Sequence, residues 1–168
     1  MNDRPPRDDP SEPAERRPCL FCSRAADPAS LEPLRVYSDE FFLATHAIED
    51  EGESYLGNLL VQTRRHATSL GGLSFAESTR IGAVLGALSR AIERVTGAAW
   101  TYCFGFTEGY RHVHLVLLAR YPGTPPEYVR LRVTDWPGAP RAEAAQVGEL
   151  VQRLRSELER DALPAAGD

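Results

Sequence analysis

The sequence predicts an α+β fold, an antiparallel sheet with two main helices packed on it. Three observations predict it. Short apolar runs alternate like strands, one long stretch repeats with helical period, and a second amphipathic stretch closes the chain. The 168 residues are 42% hydrophobic, enough for a single buried core.

The elements follow in order. Residues 1–17 are crowded with Asp, Glu, Arg and Pro and read as a disordered tail. Residues 18–162 read as one domain, and 163–168 as a flexible C-terminus. Val36 to His46 reads as a strand hairpin turning at Ser38-Asp39-Glu40. Asp50 to Ser54 is an acidic loop, and Leu56 to Gln62 a strand. Ser74 with Glu77 makes a capping box. Phe75, Ile81, Leu85, Leu88, Ile92 and Val95 follow at helical spacing, and Gly97 ends that helix. Trp100 to Phe106 and His112 to Arg120 read as strands. Tyr121 to Pro140, rich in Pro and Gly, reads as loop with a short turn of helix. Val147, Leu150, Val151, Leu154 and Leu158 mark the last helix.

Composition excludes several functions. A formal net charge of −5 argues against a nucleic-acid or anionic-membrane partner, which needs a basic face. No apolar run approaches the length of a membrane span, and no secretory signal core opens the chain. Three cysteines, two of them close together, do not make a disulfide framework. A cytoplasmic, reducing location is expected. Every basic residue is Arg or His, so lysine-dependent covalent chemistry is absent.

Four residues are candidate metal ligands: Cys19, Cys22, His66 and His112. A CxxC can present two thiolates to one zinc, and two histidines would close a tetrahedral Cys2His2 site. A redox pair is the first alternative, but it needs a βαβ context that the preceding tail does not provide. Two unrelated cysteines are the second. Cys103, in mid-strand, reads as a small core residue. His112 and His114 are two apart on a strand, so they point the same way, about 6.6 Å apart. Val113, Leu115 and Leu117 point the other way, into the core. Histidine can hold a metal or carry a phosphoryl group. The simplest division gives zinc to His112 and nucleophilic attack to His114.

These residues carry a family likeness. His112 to Arg120, HVHLVLLAR, resembles the signature of the histidine-triad (HIT) superfamily, in which histidine alternates with an apolar residue three times. Gly57 to His66, GNLLVQTRRH, is similar to that family's GHxLVxPxxH strand and turn. Pro18 to Cys22 resembles the CxFC of its zinc-containing branches, which include the galactose-1-phosphate uridylyltransferases. The likeness spans roughly residues 19–120.

The resemblance implies a HIT-like fold, a structural zinc on Cys19, Cys22, His66 and His112, and His114 as nucleophile at the α-phosphorus of a nucleotide. It implies a nucleotidyl-histidine intermediate, released to water or another acceptor, and a homodimer. Arg64 or Arg65 would neutralise phosphate charge. Three positions depart from the pattern. Val116 stands where the third histidine would be, a position at which the uridylyltransferase branch uses Gln. Asn58 replaces the upstream histidine. Glu108 places a carboxylate where a neutral amide would meet phosphate, to repel an anion or to serve as acid or base. Asn58, Arg64, Arg65 and Val116 are thus expected at a nucleotide, with His114 and Glu108 as catalytic groups. The alternatives are a catalytically weak nucleotide-binding or scaffold protein and a zinc-stabilised interaction domain.

Overall fold

A computed structural model describes residues 19–27, 29–49, 52–107 and 110–161. The expected tail, Pro18, Glu108 and the C-terminal stretch 163–168 lie outside the described residues. The architecture is α+β: five antiparallel strands in one sheet, with two main helices on one face.

The chain opens with a short helix, α1 (Leu20–Ala26), that carries the CxxC. Strands β1 (Arg35–Ser38) and β2 (Phe42–His46) form the expected hairpin. Its turn is closed by Asp39, whose Oδ1 accepts from the backbone of Phe41 at 2.8 Å and of Phe42 at 2.7 Å, the local bonding that makes Asp a turn residue. Then come a two-residue strand, β3 (Ser54–Tyr55), and β4 (Asn58–Thr63). Gly57 joins them at φ 76°, and a Cβ there would stand 2.7 Å from that of Ala119. Only glycine suits both the backbone and the gap.

Helix α2 (Phe75–Thr96) begins at the predicted capping box and ends at Gly97, φ 74°. Strands β5 (Trp100–Phe104) and β6 (His114–Arg120) follow. Residues 121–140 hold two short 3-10 turns, and β7 (Arg141–Ala142) pairs with β3 in a second small sheet. Helix α3 (Ala144–Arg160) closes the fold. Among the described residues, no helix is long and apolar enough to cross a membrane.

The main sheet runs β1-β2-β4-β6-β5. Register assigns its faces. Leu59 and Val61 pair with Leu117 and Leu115, and this face meets Val84, Leu88 and Ile92 of α2 in the core. Each such leucine or isoleucine, fully buried, contributes roughly 1.5–3 kcal/mol. Asn58, Leu60 and Gln62 pair with Leu118, Val116 and His114, so these six share the opposite face, away from α2 and α3.

Two expectations change. β6 starts at His114, so His112 lies in the approach to the strand. Cys103 is exposed rather than in the core, because β5 is an edge strand.

Candidate functional site

The four expected ligands converge, although they come from three separate segments of chain. Cys19 caps α1 and Cys22 lies within it, His66 follows β4, and His112 precedes β6. Their donor atoms all lie within 4.8 Å of one another. Cys19 Sγ is 3.4 Å from His112 Nδ1, Cys22 Sγ is 3.7 Å from that nitrogen, and Cys22 Sγ is 3.3 Å from His66 Nδ1. Ligands at about 2.3 Å (S) and 2.0 Å (N) from one tetrahedral zinc stand roughly 3.3–3.8 Å apart, so the residues fit the ion.

The surroundings of His112 fit it too. Its Nε2 donates to the Thr63 carbonyl at 2.8 Å and lies 3.0 Å from the Thr63 hydroxyl. That fixes the tautomer and leaves Nδ1 as a bare lone pair for a metal, the usual outer support of a ligating imidazole. Burial, at 0% exposure, also lowers the His112 pKa and keeps the ring neutral, the form that binds metal. Burial first, then the neighbouring Cys19, pushes the Cys22 thiol up to about 11. Without a cation the Cys22 thiol holds its proton; a bound divalent ion would displace it.

His114 begins β6 at 8% exposure. Its Nδ1 donates to the His112 carbonyl at 2.8 Å, so Nε2 carries the free lone pair. One residue thus serves both centres: His112 turns its ring to the cysteines and its carbonyl to His114.

The other expected residues fall in different places. Asn58 and Val116 share with His114 the face turned away from α2 and α3. Val116 lies in register with Leu60 on one side and Phe104 on the other, in an apolar strip. Arg64 extends to the hairpin turn, bonding the Asp39 carbonyl at 2.6 Å and Ser38 Oγ at 2.5 Å. Arg65 forms a two-point pair with Glu77, at 3.1 and 2.7 Å, and also bonds the Gly72 carbonyl. Arg65 holds the Glu77 carboxyl down at about 2. Glu108 lies outside the described residues.

Three residues at the site escaped the sequence reading. Thr63 orients His112. Phe21, the aromatic of the CxFC, stacks on His114 with ring centroids 4.5 Å apart. Gln62, 1% exposed, donates from Nε2 to the Phe21 carbonyl at 2.8 Å, while its Oε1 has no partner among the described residues. A buried acceptor left unpaired costs about 1–3 kcal/mol. The available signal was position: Gln62 is the only polar residue between Leu59 and Thr63, an otherwise apolar run.

The fold and site together define a zinc-type Cys2His2 cluster joined to a histidine at the start of a central strand. Solved structures share this fold. A hypothetical histidine triad nucleotide-binding protein from Sulfolobus tokodaii superposes with a TM-score of 0.61 at 20% identity, covering 84% of this chain and 93% of its own. A zinc-bound histidine triad family protein from Mycobacterium smegmatis gives 0.59 at 23% identity, covering 84% and 94%. The diadenosine triphosphate hydrolase of Plasmodium falciparum gives 0.54 at 11% identity, covering 77% and 78%. No protein-family model and no curated protein sequence matches the chain. The fold is therefore HIT-like.

Proposed function

We propose that this chain is a HIT-superfamily nucleotide hydrolase or nucleotidyltransferase that works through His114. One observation carries the reading: His114 Nδ1 is bonded to the His112 carbonyl at 2.8 Å, the tautomer that puts the nucleophilic lone pair of the neutral ring on Nε2. The Nε2 lone pair forms a bond to the α-phosphorus, and the bond from phosphorus to the leaving group breaks, its electron pair going with that group. The imidazolium so formed keeps its Nδ1 proton against the His112 carbonyl dipole. Water or another acceptor then attacks phosphorus and loses a proton, and the N–P pair returns to Nε2.

Cys19, Cys22, His66 and His112 would hold zinc as a structural ion, adding folding stability and no redox chemistry. In this reading Asn58 and Val116 border the nucleotide on the face turned away from α2 and α3. Arg64 and Arg65 add positive charge near the His66 end of β4. Nε and Nη2 of both are engaged by Ser38, Asp39, Gly72 and Glu77, so in this reading the two act on phosphate by their charge. Glu108 is assigned an acid–base role. A homodimer and a reducing, cytoplasmic location complete the reading; the unpaired thiols suit such a compartment.

The apolar strip around Val116 favours a second reading, a nucleotide-binding member with little turnover. The deciding experiment is nucleoside monophosphate release from dinucleoside polyphosphates, nucleoside phosphoramidates and nucleotide sugars, wild type beside His114→Ala. Release that vanishes in the variant is the expected result. Equal release from both proteins would end the nucleophile assignment. No release with retained nucleotide binding would select the second reading.

A further inference from the structure

Phe21 stands between the two cysteines and is buried at 3% exposure. Its ring lies on the His114 imidazole, centroids 4.5 Å apart and planes 22° from parallel. The same ring meets Tyr110 edge-on at 5.5 Å, and Tyr110 meets His114 edge-on at 6.3 Å. The Phe21 carbonyl accepts from Gln62, which sits directly opposite His114 in the β4–β6 register.

We propose that Phe21, anchored by Gln62, is a positioning residue for His114: the stacked ring fixes the plane of the imidazole and so the direction of its Nε2 lone pair. The proposal rests on the reading of His114 as nucleophile and deepens it.

The Nδ1 bond to the His112 carbonyl fixes one point of the ring but not its plane, and the terminal torsion of histidine is broad. The lone pair on Nε2 lies in that plane. In-line attack therefore needs the plane held, and a tilt would cost rate while leaving substrate binding almost untouched. A phenyl ring against one face supplies the missing restraint. It covers a face of the imidazole, not the edge that carries Nε2.

Phe21 must itself be held. A helix of seven residues cannot stand on its own hydrogen bonds. Cys19 and Cys22 pin it on either side of the ring, and Gln62 pins its carbonyl. The orientation of the Gln62 amide follows, since the reverse would set its oxygen against the Phe21 oxygen. An apolar side chain at position 62 would remove the orphaned Oε1 but release Phe21.

The test uses the full-length, zinc-loaded protein as wild type, Phe21→Leu, Phe21→Tyr and Gln62→Leu. Three quantities are read: kcat and KM on the substrate that wild type turns over, zinc content, and the NMR shifts of the His114 ring protons, assigned by their absence in His114→Ala. In wild type those protons should be shifted upfield by the stacked ring. Phe21→Leu should lose that shift and about tenfold to a hundredfold in kcat, with KM nearly unchanged and zinc retained. Phe21→Tyr should restore both readings, and Gln62→Leu should lie between.

An unchanged kcat in Phe21→Leu, or a rise in KM alone, would overturn the proposal; the latter would make Phe21 a ligand contact instead. If Phe21→Leu loses zinc, Gln62→Leu decides, because it leaves every metal ligand in place. An unchanged shift and unchanged kcat in that variant would sink the idea. If wild type turns over nothing on the panel, the nucleophile reading is what has failed. The upfield shift, present in wild type and lost in Phe21→Leu, would still support positioning, and its absence from wild type would refute it.

Discussion

His46 shows what a single buried titratable group does to this fold. It ends β2 at 0% exposure, with Nδ1 donating to the Ala47 carbonyl at 2.6 Å and Nε2 accepting from the Gly57 backbone at 3.1 Å. Both nitrogens are satisfied only in the neutral ring. Burial lowers its pKa from 6.5 to about 4, against the Ala47 bond, which raises it. The unfolded chain therefore takes up this proton at a higher pH than the folded one. A penalty on folding begins near pH 6.5 and is complete near pH 4. Its size is on the order of 3 kcal/mol. Denaturant midpoints across that window should fall with pH in wild type and fall less in His46→Gln. Parallel curves would show that His46 is not the group responsible. At this scale the sequence was legible wherever chemistry is written in residue type. Cys19, Cys22, His66 and His112, which the fold brings together, can be singled out by identity and spacing. Phe21 and Thr63 could not, because an aromatic stack and a carbonyl acceptor depend on where the backbone goes.

Among the elements, the periodic ones could be read and the short ones could not. The capping box of α2 and its glycine stop are local signals, and both stand where the sequence puts them. The β1–β2 hairpin is equally local, with Asp39 as its turn. Helix α1 had no visible period in seven residues, and β3 and β7 have two residues each. Such pieces exist because partners hold them. For α1 the partners are His66 and His112, which approach its cysteines from distant parts of the chain. The helix should therefore depend on metal. Chelation, or Cys19→Ser, is expected to lower the melting temperature sharply, and hydrogen exchange should quicken first at residues 19–26, because a metal that ligates only the folded state contributes its binding energy to folding. A protein that purifies without metal and melts unchanged after chelator treatment would remove zinc from the account. β6 starts two residues later than alternation predicts, for a related reason. Alternation alone cannot tell that His112 leaves the strand to reach the cysteines.

At the scale of the whole molecule, the sheet has one covered face and two unlike edges. Both long helices lie on the same side, which leaves His114, Gln62 and Asn58 on the other. The β1 edge is occupied by α3, where Arg155 bonds the Arg35 carbonyl at 2.6 Å. The β5 edge pairs with no further strand among the described residues. It is also rich in exposed rings: Trp100 is 57% exposed, under the Arg120 guanidinium at 4.6 Å, and Phe106 just beyond the strand is 61% exposed. Unpaired edges with exposed apolar side chains invite pairing with another chain. A second copy can meet this edge antiparallel about a two-fold axis, with the same residues contributed by each partner. That geometry gives the expected homodimer a location. It would set the two His114 sites on one continuous sheet, each a single strand away from the junction. Light scattering coupled to gel filtration should give twice the chain mass for wild type and the single chain mass for Trp100→Glu. The variant should keep its zinc and its folded secondary structure, because Trp100 lies outside the core. A wild-type monomer at tens of micromolar would count against pairing through β5, since a specific interface of about 800 Å² per partner holds well below that concentration. A dimer that survives Trp100→Glu would move the contact to another surface.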